Sequence, residues 1–498
     1  MKLTDLLAGI VDDLTKLDSS IEIKGIALDS RRVRDGFVFL AIAGEKEHGL
    51  VYVQQAIENG ATVVIYDPLG SESFVLNQLN IYQLAIMDLG LKLGRIADRF
   101  YQSPSNRLDV IGITGTNGKT TCSQFLVQLI AECGVIGTLG WGDKGALKET
   151  INTTPDAINV QQMLAEFVKQ NKRTVVMEVS SHGLQQGRVN EVHFKGAVFT
   201  NLSRDHLDYH GSMDGYLNAK RLLFKQPDLQ FVVVNTDDAN SEQFLAVTAE
   251  KVKCWAFSAT GKKRQFKDNK TVEKVSVDEV NYSLDGISFC VSWRKQRAQV
   301  QTSIVGDFNL ENMLAVITVL LAQGCSLSDA TSKVSELTPV PGRMERFGGT
   351  DKPFVFVDYA HTPDALEKVL LGLKKYCHQT LTVVFGCGGN RDKGKRKQMG
   401  EIVAKLADQV IITNDNPRFE NPEQIINDIV VGCAEQDYEV IQNREKAIQT
   451  VIKKANKMDC IVIAGKGHED YQDVNGIKQL FRDQDVVKQA LQEWADSA

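Results

Sequence analysis

The sequence predicts an α/β protein built from three domains. Two observations carry this reading. Short apolar runs alternate with helix-period stretches from end to end, and the alternation restarts after polar, proline-containing connections. A chain of 498 residues is also too long for a single hydrophobic core.

Residues 1–88 read as a small α/β unit. "FVFLAIAG" (Phe37 to Gly44) and "ATVVIYD" (Ala61 to Asp67) are the apolar runs expected of strands, with the helical pattern "VYVQQAIENG" between them. The second domain, residues 89–338, begins with the helical stretch "LGLKLGRIADRFYQ". The connection "SPSNR" follows, and a new strand starts at Leu108. From there "RTVVMEVS", "GAVFTNLS" and "FVVVNT" alternate with helical patterns, which predicts a largely parallel sheet covered by helices. Residues 261–306 differ: "VNYSLDGISFCVSW" alternates polar and apolar residues and predicts antiparallel hairpins. The third domain, residues 339–498, carries "FVFVDYA", "LTVVFGCG", "QVIITND" and "CIVIAGKG", each before a helical stretch. That pattern is a doubly wound fold, in which ligands meet the carboxyl ends of the strands.

Composition narrows the function classes. With 57 Lys and Arg against 63 Asp and Glu, the formal charge of -6 argues against a nucleic-acid surface, so any basic site is local. Polar residues interrupt the N-terminal leucines too early for a signal peptide, and no apolar run approaches the roughly 18 residues of a membrane span. A cytoplasmic protein is expected. The nine cysteines contain no C-x-x-C pair, so neither a disulfide nor a zinc site is expected.

The chemistry starts at "GITGTNGKTT" (Gly112 to Thr121), which follows an apolar strand and opens the helical pattern "CSQFLVQLIAEC". Backbone N–H groups freed by glycine can cradle phosphate oxygens together with the helix N-terminus. Lys119 supplies charge and Thr120 a hydroxyl for magnesium. The strict phosphate-loop pattern would require glycine at Ile113, so this is a variant. Three further stretches end near the same place: "VVMEVSSHGL" with Glu178, "TNLSRDHLDYHG" with His206, and "YLNAKRLLF" with Lys220. In a parallel sheet such strand ends converge, so Thr120 and Glu178 can share one magnesium ion and His206 can help hold a second. Taken singly, a strand-end glutamate is as readily a cap partner, and histidine is a poor magnesium ligand. The clustering changes that.

"TGTNGKTT", "EVSSHGL", "TNLSRDHLDYHG", "AKRLLF", "GDFNLENMLAV", "PGRMERF" and "VDYAHTPDAL", in this order, resemble the Mur ligase family, ATP-dependent amide synthetases of bacterial cell-wall assembly. The resemblance runs from about Leu28 to Arg482. It implies a uridine-nucleotide domain, a central phosphate-loop ATPase domain and a Rossmann-like domain for the incoming amino acid. It also implies small-molecule substrates, ATP as co-substrate, two magnesium ions and a monomer. Gly115, Thr116, Asn117, Gly118, Lys119, Thr120 and Thr121 would take the ATP phosphates. Asn309 and Asn312 would lie near the adenine, and Arg343, Asp358 and His361 would close over the nucleotide. Lys220 matches a lysine that is carbamylated to hold the second magnesium, which requires a neutral amine. Read without the family, Lys220 is a helix-surface lysine.

Within the family, Leu28, Ser30, Glu45, Lys46 and Glu47 resemble the nucleotide pocket of members that add the third peptide residue. Asn152, Thr153, Thr154, Ser180, Gln186 and Arg188 resemble the contacts to the sugar-peptide part. On their own these are ordinary polar loops. "DNPRFENP" carries the specificity: Asp415, Asn416, Pro417 and Arg418 match members that add meso-diaminopimelate, whereas lysine-adding relatives replace the arginine. A guanidinium fork suits the distal carboxylate that lysine lacks. Arg391, Gly465 and Glu469 would complete that site. Lys393, Lys395, Arg396 and Lys397 are expected to be a solvated helix face. The competing readings are a lysine-adding ligase, folylpolyglutamate synthase, and a phosphate-loop motor or binding module.

Overall fold

The computed structural model describes residues 1–44, 47–75, 79–261, 271–349, 351–433 and 437–497. Glu45 and Lys46 lie outside these residues, as does the beginning of the predicted hairpin region, 262–270.

Three sheets organise the chain. The first is parallel, in the order Gly25–Ala27, Phe37–Ala41, Ala61–Tyr66 and Tyr82–Ala85. Helix Leu89–Phe100 repeats Leu89, Leu93, Ile96 and Ala97 on one face, the spacing of an amphipathic helix. That face is buried in the first sheet's core beside Leu6, Val38 and Ile65, together with Ala157 and Ile158 from the start of helix Ala157–Lys169. The first unit is therefore joined to the second by apolar packing as well as by the chain.

Eleven strands form the central sheet. Its parallel middle runs Lys253–Ser258, Phe231–Asn235, Phe194–Phe199, Asp109–Thr114, Thr174–Glu178, Cys133–Gly137. Most of these strands are buried on both faces, which is why they read as continuous apolar runs. The expected hairpins are present: Val272–Ser283, Gly286–Trp293 and Gln296–Thr302 pair antiparallel and extend one edge. From Asp109–Thr114 the chain crosses to Cys133–Gly137, returns to fill the gap with Thr174–Glu178, and then moves to the other side with Phe194–Phe199. That reversal opens a crevice at the carboxyl end of Asp109–Thr114.

The third sheet runs Glu345–Gly348, Phe354–Asp358, Cys460–Ala464, Leu381–Phe385, Gln409–Ile412, Tyr438–Val440, parallel except for its first pair. The late strand Cys460–Ala464 inserts between two earlier ones. It thereby brings the loops after Asp358, Phe385, Ile412 and Ala464 to one edge. A separate hairpin, Tyr471–Val474 with Ile477–Leu480, bridges to Arg418.

Candidate active site

Register sets the first part of the site. Glu178 lies beside Ile113, and Phe199 beside Thr114, so the ends of both neighbouring strands flank the glycine loop. A Cβ on Gly115 would stand 1.9 Å from Thr200 Oγ1, so only glycine lets the loop run this close. The Thr120 hydroxyl donates to Glu178 Oε2 at 2.9 Å, and the fully buried carboxylate also accepts from Thr138 N (2.9 Å) and Thr138 Oγ1 (3.0 Å). Lys119 Nζ donates to the Gly115 and Thr116 carbonyls of its own loop, each at 2.8 Å.

Lys220 is not a surface lysine. It is 1% exposed, and its Nζ donates to Gly115 O at 2.8 Å and lies 4.4 Å from the Tyr216 ring. Burial first, and then the nearby Lys119 charge, push its pKa well below the ordinary lysine value. His206 sits in left-handed backbone with its Nε2 3.4 Å from Asp205 Oδ2, and its ring lies 4.8 Å from that of His182. Burial lowers the His206 pKa, which favours the neutral imidazole.

The third domain closes one side. Arg343 places Nη2 3.4 Å from Thr120 Oγ1 and stacks 4.4 Å from the Tyr359 ring. Asp364, at the start of helix Pro363–Lys374, accepts from Asn117 Nδ2 (2.9 Å) and Ser203 Oγ (3.1 Å), tying this domain to the phosphate loop. Asp358 is spent internally on the Met344 and Ala360 amides (2.7 and 2.8 Å), holding the turn that presents Arg343. His361 Nδ1 lies 2.8 Å from Tyr359 O. Asn309 and Asn312 are also internal: Asn309 donates to Val305 O, and Asn312 Nδ2 donates to Asn309 Oδ1 at 3.0 Å.

A second crevice opens on the third sheet. Arg418, in left-handed backbone, donates from Nη1 to Gly389 O at 2.9 Å, and both Arg418 Nη1 and the Arg391 stem lie near Gly388. Asn416 donates to Glu469 Oε2 at 2.7 Å, Asp415 Oδ1 accepts Asn416 N at 2.7 Å, and Gly465 packs against Asp415 Oδ2. Pro417 carries the chain between Asn416 and Arg418, and its carbonyl accepts from Glu420 N.

Comparisons with known proteins fit this geometry. Residues 22–101 match the Mur ligase family catalytic domain, 113–320 the Mur ligase middle domain, and 342–467 the Mur ligase glutamate ligase domain. A protein of Ectopseudomonas mendocina (strain ymp) named UDP-N-acetylmuramoyl-L-alanyl-D-glutamate--2,6-diaminopimelate ligase is 42% identical over 491 residues, 97% of each chain. The chain belongs to the Mur ligase family. A solved structure titled as the same ligase superposes on this Mur ligase with a TM-score of 0.69 and 34% identity, covering 99% of this chain and 100% of the other. A Mur ligase from Thermotoga maritima in complex with ADP shares the fold, at 17% identity and a TM-score of 0.64, over 97% and 100% of the two chains.

The residues nominated for the uridine-nucleotide substrate fall into two groups. In this Mur ligase Thr153, Thr154, Ser180, Gln186 and Arg188 share one network beside Glu178. Thr138 and Thr153 hydroxyls are 3.0 Å apart, Thr154 Oγ1 joins Glu178 O to Ser180 N, and Arg188 braces Gln186 Oε1 and Thr154 O. The Arg188 guanidinium thus donates to these two neighbours. Ser180 Oγ caps Gly183 N, and Asn152 is exposed just before Thr153. Leu28, Ser30 and Glu47 lie in the first domain, in the connections after its strands, where the Ser30 hydroxyl donates to Gln55 Oε1 at 2.6 Å and Glu47 accepts from Tyr52.

One expectation fails. Arg396 is fully buried, not solvated: it pairs with Glu420 at 2.7 Å and Asp428 at 2.8 Å, and its Nη2 lies 3.4 Å from Gly388 O. Lys395 is half-buried and donates to His361 O, whereas Lys393 and Lys397 are exposed as expected. The signal was available, since Arg396 shares the 3.6-residue face of Met399, Gly400 and Val403. Asp364 and Lys466 were also missed. Asp364 stood inside a quoted motif, but no sequence feature said that it reaches a loop 247 residues away.

Proposed function

We propose that this Mur ligase joins meso-2,6-diaminopimelate to the D-glutamate carboxylate of UDP-N-acetylmuramoyl-L-alanyl-D-glutamate, with ATP as co-substrate. The observation that carries the amino-acid choice is the Arg418 guanidinium, held at Gly389 O by the loop that also bears Asp415 and Asn416, with Asn416 meeting Glu469 and the Arg391 stem near Gly388. Such a site offers guanidinium groups to two carboxylates and carboxylates to ammonium groups, the charge pattern of diaminopimelate. Three working units follow, with residues 1–88 for the uridine nucleotide, 89–338 for ATP and 339–498 for the amino acid.

In the reaction, the D-glutamate carboxylate attacks the γ-phosphorus as the bond to ADP breaks, giving an acyl phosphate. The diaminopimelate amine then attacks that carbonyl carbon, its proton goes to solvent, and phosphate leaves. The chain's contribution is alignment and charge. Lys119, held by two carbonyls of its own loop, would exchange them for phosphate oxygens, and Arg343, 3.4 Å from Thr120 Oγ1, would add a second cation. Magnesium fits the donors present: Thr120 and Glu178 supply oxygens 2.9 Å apart, the ligand type this ion prefers. Carbamylated Lys220 and neutral His206 would hold the second ion. Bound there, the ions would neutralise phosphate charge during transfer. Burial favours the neutral amine of Lys220, and its addition to carbon dioxide, with loss of one proton, would yield the anionic ligand.

No helix among the described residues is long and apolar enough to cross a membrane, and a cytoplasmic site of action is part of the proposal. Every ligand proposed comes from one chain, so a monomer suffices. The test is phosphate release by the purified protein. Turnover should require the uridine-nucleotide dipeptide together with meso-diaminopimelate. Equal or faster turnover with L-lysine would refute the specificity, and steady ATP hydrolysis without either substrate would refute the ligase reading.

A further inference from the structure

Lys466 lies between Gly465 and Gly467, directly after strand Cys460–Ala464, and is 0% exposed. Gly465 has φ +116, and a Cβ there would stand 2.6 Å from Asp415 Oδ2, so the chain passes tightly against Asp415 as it turns Lys466 inward. Its ammonium donates to Asn416 Oδ1 and Glu469 Oε2, both at 3.0 Å. These are two of the side chains proposed to contact the amino acid.

The hydrogen bonds leave little freedom. Asn416 Oδ1 faces two groups that can only donate, the Lys466 ammonium and the Asp473 amide, each at 3.0 Å, so the side-chain amide cannot be reversed. Its Nδ2 must then donate to Glu469 Oε2, at 2.7 Å. With Oε2 taken by Lys466 and Asn416, Glu469 Oε1 has no partner within hydrogen-bond distance among the described residues. The same domain contains a buried ion pair of another kind: Arg444 and Asp483, both 0% exposed, meet at 2.7 Å between two helices. The partner of Lys466 instead keeps 19% of its side chain exposed at the crevice.

We infer that Lys466 is a positioning and specificity residue of the amino-acid site: it fixes the Asn416 amide and takes one Glu469 oxygen, so that the site accepts one ammonium there and favours an amino acid with two carboxylates. The inference rests on the proposed diaminopimelate activity. A buried ammonium beside Glu469 cancels one of the site's negative charges. The remaining balance suits diaminopimelate, with its two carboxylates, better than lysine, which has one.

The test compares wild type with Lys466→Met, measuring kcat and KM for meso-diaminopimelate and L-lysine, KM for ATP, and thermal melting. In the variant, KM for diaminopimelate should rise about tenfold or more, and the kcat/KM preference over lysine should fall about tenfold, with KM for ATP within about twofold. A lowered melting temperature with an unchanged preference would overturn the inference, as would equal rises in KM for every substrate. If Lys466→Met does not fold, the comparison is made between Glu469→Gln and Glu469→Gln/Lys466→Met, the double variant alone burying no unpaired charge. There the double variant should show the lower preference, and equal preferences would overturn the inference. A wild-type preference for lysine, measured first, would defeat the parent reading and this one with it.

Discussion

Replacing Arg418 with Ala tests the specificity claim most directly. The Arg418 side chain is 21% exposed, so its interactions are partly desolvated. Nη1 is committed to Gly389 O at 2.9 Å, and Nε stands 3.9 Å from Asp473 Oδ2, too far for a hydrogen bond. The rest of the fork remains available to a carboxylate. Two charge-assisted hydrogen bonds in such a setting are worth about 2–4 kcal/mol net, and each 1.4 kcal/mol is a factor of ten. Alanine should therefore lower kcat/KM for meso-diaminopimelate by about 30- to 1000-fold. The effect on L-lysine should stay within about threefold, because lysine carries no group for the fork. Arg418→Lys keeps the charge and loses the planar geometry, so it should fall between the two. Backbone strain does not separate these variants, since arginine, lysine and alanine all pay the same penalty at φ +53. The assay is phosphate release with each amino acid at saturating ATP and uridine-nucleotide dipeptide. Equal losses with both amino acids would show that Arg418 holds the loop instead of reading the substrate.

Two further outcomes follow from buried charges. Lys220→Ala should reduce turnover at least about a hundredfold, and a small carboxylic acid such as acetate should restore part of it by occupying the space of the carbamate; unimpaired turnover in the variant would rule out a role for the carbamate. For Arg396→Met the readout is stability against pH, measured by denaturant unfolding. The hydrogen bonds from Arg396 hold the Glu420 and Asp428 carboxyls below their ordinary values, so their contribution is present above the usual carboxylate range and is lost as pH falls through the lowered values. Wild type should thus exceed Arg396→Met in stability at pH 7, and the gap should narrow in acid below about pH 4. A gap that does not change with pH would mean that Arg396 acts only through packing.

The elements that carried the sequence reading were those with local signals. "VIGIT" before "GTNGKTT" predicts a strand, a phosphate loop and a helix without knowledge of anything distant, and the structure has Asp109–Thr114, the loop and Lys119–Leu129 in that order. The hairpins after residue 271 were legible because alternation with period two marks one buried and one open face. Side-chain partnership was less legible. Asp358 and His361 sit in a quoted motif, yet Asp358 is committed to the Met344 and Ala360 amides. Arg396 shares the apolar face of Met399, Gly400 and Val403, which marks it as turned inward, but no local pattern says that it meets Glu420 and Asp428.

By itself, the sequence determined the three α/β units, the phosphate loop and the chemical types gathered at the strand ends, because hydrophobic period and glycine placement act over a few residues. Only the tertiary structure decided which charges are buried and with whom. Glu178 meets Thr120 across 58 residues, Asp364 meets Asn117 across 247, and Lys466 meets Asn416 across 50. A charge keeps its ordinary properties in water and loses them when it is desolvated against one particular neighbour. That neighbour is chosen by strand order and loop packing, which no local pattern records.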